Sequence, residues 1–399
     1  MADLFITGIG ELTTNTGTPI EDAVVAVESG VITYAGPSSD APQQTGERYE
    51  CGGAAVIPGF VDAHTHLVFA GDRSDEFARR LAGESYSEIA AAGGGILATM
   101  ASTREASQDE LFDLAAGRVW RMIQTGTTTV EIKSGYGLDP ESELKQLAVA
   151  RRIAEELPID VRTTFLGAHS VPPEFASNRA GYVDLVIEEM LPAAATLADY
   201  CDVFVEDGVF APDEARRIFA RASDLGLGAR VHAEQLGHTG GAKLAAEISA
   251  ASADHLDNAT EEDARALAAA GVVAVLVPGA SYTLRSPQAP APMLAAAGCT
   301  IALATDCNPG TSYFESMSPI LSLGVVQMGL TVAQALSAAT LGGAMSLGYD
   351  DRGFIEAGAL ADLVVLDAPS AAHLVYRPGA NLASATIKRG IPVAWGNGP

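Results

Sequence analysis

From about residue 56 to residue 306, runs that read as β-strand alternate steadily with runs that read as amphipathic helix. A strand, a crossover helix and a second strand pack as a parallel pair with the helix on one face, so this alternation commits the chain to an α/β architecture. The candidate strands are residues 60–66, 127–133, 161–169, 200–206, 229–234, 253–256, 272–277 and 300–306. Eight such units predict a closed (β/α)8 barrel of the TIM type, whose functional groups gather where the C-terminal strand ends meet. Helix starts are marked between the strands. Ser107 with Glu110 and Thr260 with Asp263 have capping-box spacing, and Asp139-Pro140 pairs a capping side chain with a proline at the first helical position.

Two stretches fall outside the alternation. Residues 4–55 and 358–395 read as short β segments broken by Gly and Pro, and they are expected to pair with each other. The predicted organisation is a small composite β domain from residues 1–57 and 350–399, with the barrel at 58–349. A chain of 399 residues, 48% of them hydrophobic, is long enough to bury both cores.

The formal net charge of -26 repels phosphate polyanions, and no basic patch offsets it, so no nucleic-acid partner is expected. The first residues, MADLFITGIGELTT, lack the basic residues of a signal peptide, and no apolar run reaches the roughly 18 residues a membrane span needs. The expected setting is cytoplasmic. Cys51, Cys201, Cys299 and Cys307 are widely spaced with no C-x-x-C pair, and reduced thiols are expected.

The sharpest local motif is PGFVDAHTH. On a strand, Asp62, His64 and His66 share one face and Val61, Ala63 and Thr65 the other, so both imidazoles would point into the barrel. Neutral imidazole is a common ligand of zinc or iron, and Asp62 is the nearby carboxylate available to orient a ring. An H-x-H pair is a weak signal taken alone. Further side chains of ligand type close later strands: His169 ends TTFLGAH, His232 lies in ARVHAEQ, His255 in SADHL, and Asp306 ends IALATD. Five of the seven histidines thus fall at predicted strand ends that meet at one mouth, which packing alone does not explain. His238 and His373 read as structural or surface residues.

PGFVDAHTHLVFAGDRSDEF, EIKSGYGLD, TTFLGAHSVPPEF, VHAEQL and ATDCNPGTS occur in the order and spacing of the imidazolonepropionases, within the amidohydrolase superfamily, and the resemblance runs from about Pro58 to Leu347. It implies His64, His66, His232 and Asp306 as metal ligands, with Asp306 and His255 as the catalytic pair that handles the water proton. It further implies substrate contacts from Arg73, Tyr86, Tyr136, His169, Gln235 and Asn308, with Gly310 and Thr311 lining the same loop. These types suit a small polar ring with an anionic tail: Arg forks a carboxylate, Tyr hydroxyls add directional bonds, and Asn and Gln read a ring edge. Arg73 has an ordinary alternative as a surface arginine paired with Asp75 or Glu76, and Tyr86 one as a helix-packing aromatic. Tyr136, between two glycines, has a loop setting that favours function. Gln235 can hydrogen-bond but cannot serve as acid or base.

Two-metal relatives bridge their ions with a Lys at the end of the fourth strand, where this chain reads CDVFVEDGVF. One ion, Zn or Fe, is therefore expected, although Glu206 leaves a carboxylate bridge open. The implied reaction is hydrolysis of 4-imidazolone-5-propanoate to N-formimidoyl-L-glutamate with a metal-activated water and no organic cofactor. A heterocycle deaminase on the same barrel would share the ligands, and a catalytically dead scaffold would have lost them. The expected partner is the small-molecule substrate, with a homodimer as the assembly the resemblance admits.

Overall fold

A computed structural model describes residues 3–84, 88 and 94–395. The chain opens with β1 (Leu4–Leu12), β2 (Ile20–Glu28), β3 (Val31–Pro37), β4 (Glu47–Glu50) and β5 (Ala55–Pro58). The next eight strands are β6 (Phe60–Asp62), β7 (Thr127–Lys133), β8 (Asp160–Ala168), β9 (Tyr200–Val205), β10 (Gly228–Ala233), β11 (Ser252–His255), β12 (Val273–Leu276) and β13 (Ile301–Leu303). They form one parallel sheet in unbroken chain order, each strand beside its successor, with helices in the crossovers. This is the (β/α)8 architecture that the alternation predicts.

Period-two alternation explains why the strands bury both faces. On β7, Val130 and Ile132 pack outward against Leu111, Val119 and Ile153 of the flanking helices, which leaves Glu131 and Lys133 facing inward. On β10, Val231 and Ala233 join the outer core while Arg230 and His232 point inside. All of these positions are buried, so the inner face is lined with charge and imidazole rather than the aliphatic layers usual in such barrels.

The three helix starts read from the sequence are present. Ser107 and Glu110 form a reciprocal capping box before helix Gln108–Gln124, Thr260 and Asp263 do the same before Glu261–Ala270, and Asp139 caps Pro140–Glu156.

The first barrel strand ends sooner than predicted. β6 stops at Asp62, and residues 63–66 bend between their two neighbours instead of continuing a ladder. Thr65 O accepts from Lys133 N at 2.9 Å on one side; on the other, Asp306 N donates to His64 O at 2.9 Å and His66 N to Cys307 O at 3.0 Å. Those last two bonds close the barrel between β6 and β13.

The terminal segments share a second sheet. After the barrel come β14 (Leu363–Leu366), β15 (Ala383–Lys388) and β16 (Ile391–Trp395), with a short helix, Ala372–Tyr376, where only β segments were expected. β5 pairs parallel with β1 and antiparallel with β14, joining both ends of the chain in the order β16-β15-β14-β5-β1-β2-β3. Ile6, Ile9, Val25, Val27, Val56, Leu363, Val365 and Ile387 form its core. No helix of the described residues is long and apolar enough to cross a membrane.

Candidate metal centre and its pocket

The seam between β6 and β13 places three side chains of ligand type together. His64 Nε2 and His66 Nε2 lie 3.3 Å apart, and Asp306 Oδ1 is 3.5 Å from each. Asp306 adopts φ +51°, a left-handed conformation that the closing bonds at His64 and Cys307 enforce. From the opposite wall, His232 at the end of β10 and His255 at the end of β11 complete a second group with His64, their ligand atoms all within 4.8 Å of one another. His64 belongs to both groups. His255 thus shares a group with His64 and His232, whereas the resemblance separates its role from theirs.

Two buried carboxylates set the tautomers. Asp254 Oδ2 lies 2.6 Å from His64 Nδ1, and Asp202 Oδ2 lies 2.9 Å from His232 Nδ1. A carboxylate accepts, so each Nδ1 carries the hydrogen and each Nε2 presents a lone pair. Burial, the largest influence, holds His64, His66 and His255 well below the usual histidine range, so the rings are neutral. The Asp306 carboxyl is pushed well above its ordinary value, again mainly by burial. Lone pairs and a carboxylate converging in a dry cavity repel one another unless a proton or cation lies among them. This donor set fits a borderline cation such as zinc or iron.

Two of the expected contact residues, His169 and Tyr136, pack against the histidines. His169 Nδ1 donates to Gly135 O at 3.0 Å, and its ring stacks on His66 at 5.1 Å between centroids. Burial, above all, lowers the His169 pKa to about 3. Tyr136 is buried beside His66 and His169, with ring centroids 5.8 and 5.4 Å away, and burial followed by Asp306 pushes its hydroxyl pKa up. Arg73 takes its ordinary alternative in pairing with Glu76, to which Nε and Nη2 donate at 2.9 and 2.5 Å, while Nη1 lies against Gly310. Gln235 is half-buried on the loop after β10. Tyr86 lies outside the described residues.

Three side chains are held by partners other than the expected ones. Asp62 orients no ring; its oxygens accept from Thr305 N at 2.9 Å and Thr305 Oγ1 at 2.6 Å, which pins the end of β13. Asn308 spends its side chain on its own turn, where Oδ1 accepts from Gly310 N and Thr311 N at 2.8 Å and Nδ2 donates to Asp306 O at 2.7 Å. It shapes the loop that carries Gly310 and Thr311. Glu206 turns to backbone amides, accepting from Leu236 N at 2.8 Å and Asp207 N at 3.1 Å. His238 pairs with Asp263 and His373 with Ser370, away from the centre.

The residues missed by motif reading are Asp202 and Asp254, together with Glu131, Lys133 and Arg230 below them. Their signal was present: each is ionisable, lies inside a predicted barrel strand, and keeps the parity that faces inward.

The chain matches the amidohydrolase family model over residues 55–393. It is 47% identical to an imidazolonepropionase of Symbiobacterium thermophilum, with 97% of this chain and 96% of that one covered. It is 48% identical to an imidazolonepropionase of Sphingopyxis alaskensis over 93% of each chain. Among solved structures, an adenosine deaminase from Xanthomonas campestris with bound zinc has the same fold at a TM-score of 0.73, with 22% identity over 99% of this chain and 93% of that one. Near-half identity along almost the whole length of such relatives joins the converging imidazoles and the barrel that presents them, and the chain belongs to the metal-dependent amidohydrolase family, among its imidazolonepropionases.

Proposed function

We propose that this chain opens 4-imidazolone-5-propanoate to N-formimidoyl-L-glutamate, in histidine degradation, at a centre with one Zn or Fe ion. The observation that carries this reading is the span of one loop. Asp306 at its start faces the histidine group, and Gly310, on the same turn, lies against the Arg73 guanidinium. One turn thus links the hydrolytic group to a guanidinium whose Nη1 remains for an anion, which suits a small ring with a carboxylate tail.

His64, His66, His232 and Asp306 would hold the ion, with His255 beside them. A bound Zn or Fe lowers the pKa of water from about 16 to about 7 and polarises a carbonyl oxygen. Asp306, helped by His255, takes the proton of the attacking water and returns it to the ring nitrogen as the bond between that nitrogen and the carbonyl carbon breaks. The carbonyl becomes the new carboxylate and the nitrogen the terminal imino group. Arg73 anchors the propanoate. His169 has committed its Nδ1 hydrogen to Gly135, so its Nε2 accepts from the ring, and Tyr136 remains protonated and donates. Tyr86, Gln235 and the turn of Asn308, Gly310 and Thr311 complete the proposed binding group. The zinc of the adenosine deaminase with the same fold supports a metal at this mouth.

The test is loss of imidazolone absorbance run beside an ammonia assay on metal-analysed protein. Formimidoylglutamate without stoichiometric ammonia, and about one Zn or Fe per chain, are expected. Ammonia equal to substrate consumed, or equal rates on imidazolones lacking the tail, would replace ring opening with deamination. Two tightly held ions per chain would overturn the single centre.

A further inference from the structure

Beneath the histidines lies a closed group of five buried charges from four strands of the barrel. Glu131 and Lys133 come from β7, Asp202 from β9, Arg230 from β10 and Asp254 from β11, and every one of these side chains is sealed from solvent. Two cations face three carboxylates. Lys133 Nζ is the hub: it lies 2.8 Å from Glu131 Oε1, 2.9 Å from Asp202 Oδ2 and 3.6 Å from Asp254 Oδ2. The Asp202 and Asp254 oxygens it faces are the same two that hold His232 Nδ1 and His64 Nδ1.

We propose that Lys133 is a positioning residue for the metal centre: one ammonium ties together the two carboxylates that orient His64 and His232 from opposite walls of the barrel. The inference rests on the reading that these two histidines are ligands, and extends it to a residue in contact with neither. Other anchors leave this job to Lys133. Arg230 donates at 2.8 Å to two carbonyls, Ala63 O and Ser346 O, and shares Asp254 Oδ2 with Lys133 at 3.4 Å, but it does not bridge to the carboxylate on His232. Ser252 Oγ holds the other oxygen of Asp254, and His232 N the other oxygen of Asp202. Among the described residues, Lys133 alone pairs with both carboxylates on the oxygens that face the rings. Without it, two anions would share a dry cavity with no common donor, and the oxygens that face the rings would lose the cation that fixes them relative to each other.

A positioning role and a charge role predict opposite signs. An ammonium near a cation site repels the cation, so if its charge were all that mattered, removing it would tighten metal binding. If Lys133 positions the rings, its loss weakens binding by roughly 10- to 100-fold, the usual effect of removing a partner that orients a ligand. The experiment measures the Zn2+ dissociation constant by competition with a chromophoric chelator for the native chain, Lys133→Met and the charge-balanced Lys133→Met/Glu131→Gln. Thermal unfolding of each metal-free protein is measured alongside. The charge-balanced variant buries one fewer unpaired carboxylate and is the one to use if the single variant does not fold.

Both variants are expected to lose affinity about 10- to 100-fold. In the metal-free state, 15N-histidine spectra should show the Nδ1–H form for His64 and His232 in the native chain and mixed tautomers in the variants. Native or tighter Zn2+ affinity in a folded variant overturns the proposal, and so does failure of both variants to fold, which would make Lys133 a structural charge. A native chain that binds no Zn2+ would instead overturn the ligand assignment itself.

Discussion

Arg73 shows how one residue can be fixed and available together. Glu76 occupies Nε and Nη2 and also accepts from Gly95 N at 2.8 Å, so the guanidinium cannot rotate away, while Nη1 faces the turn at Gly310. Gly310 is what allows the approach. A Cβ there would fall 2.5 Å from Arg73 Nη1, closer than any real contact permits, so Gly310→Ala should push the fork out of place. Losing a charge-assisted bond to the tail is worth about 1.5 to 3 kcal/mol, or roughly a 10- to 100-fold fall in kcat/KM, with metal content unchanged. Steady-state kinetics and metal analysis of that variant decide the matter, and native kcat/KM would place the tail elsewhere.

At the scale of elements, the barrel seam is both its closure and its chemistry. The turn of helix around Gly342 and Gly343 packs directly onto it: a Cβ at 342 would strike Ile301 O of β13, and one at 343 would strike Val61 O of β6. Backbone cannot yield as a side-chain tip can, so a single methyl there must part the helix from the strands. Gly343→Ala is expected to destabilise the metal-free protein by about 1 to 3 kcal/mol, the usual cost of overpacking. Because Val61 adjoins Asp62, which pins Thr305, metal retention should fall as well. Urea unfolding beside metal analysis checks this; an unchanged midpoint would mean that the helix simply moves back.

Across the whole molecule, Asp160 at the start of β8 couples the barrel to the terminal sheet. Its carboxylate meets Lys388 Nζ of β15 at 2.8 Å, Arg352 Nη1 at 2.5 Å and Arg389 Nη2 at 3.2 Å. Burial alone would raise its pKa, but Lys388 and then the two arginines overcome that and lower it from 3.8 to about 2. A carboxyl depressed in the folded state contributes stability that is fully present above its unfolded value and lost as pH falls through the folded one. Here that window runs from about pH 4 down to about pH 2, and the shift corresponds to about 2 kcal/mol. Asp160→Asn should therefore be less stable than the native chain at neutral pH, with the gap closing below pH 4. Equilibrium unfolding of both proteins across that range tests it, and a constant gap would show that charge is not the source.

By itself the sequence determined the parallel barrel, because alternation of strand and helix admits few other packings, and it marked His64, His66, His232, His255 and Asp306, because strand ends in such a barrel meet at one mouth. The capping pairs at Ser107, Asp139 and Thr260 were legible because a cap lies within one turn of its helix. The choice among carboxylates was not. Asp62 lies two residues from His64 yet holds Thr305, while the carboxylate on His64 is Asp254, 190 residues along the chain. Parity could have assigned Asp202, Asp254 and Lys133 to the inner wall, but which of them touch depends on strand register and on the bend after Asp62. Asn308 and Glu206 likewise went to backbone amides of nearby turns, whose shape appears in no motif. Local chemistry is written in neighbouring residues, and only the closing of the barrel decides which distant side chains become neighbours.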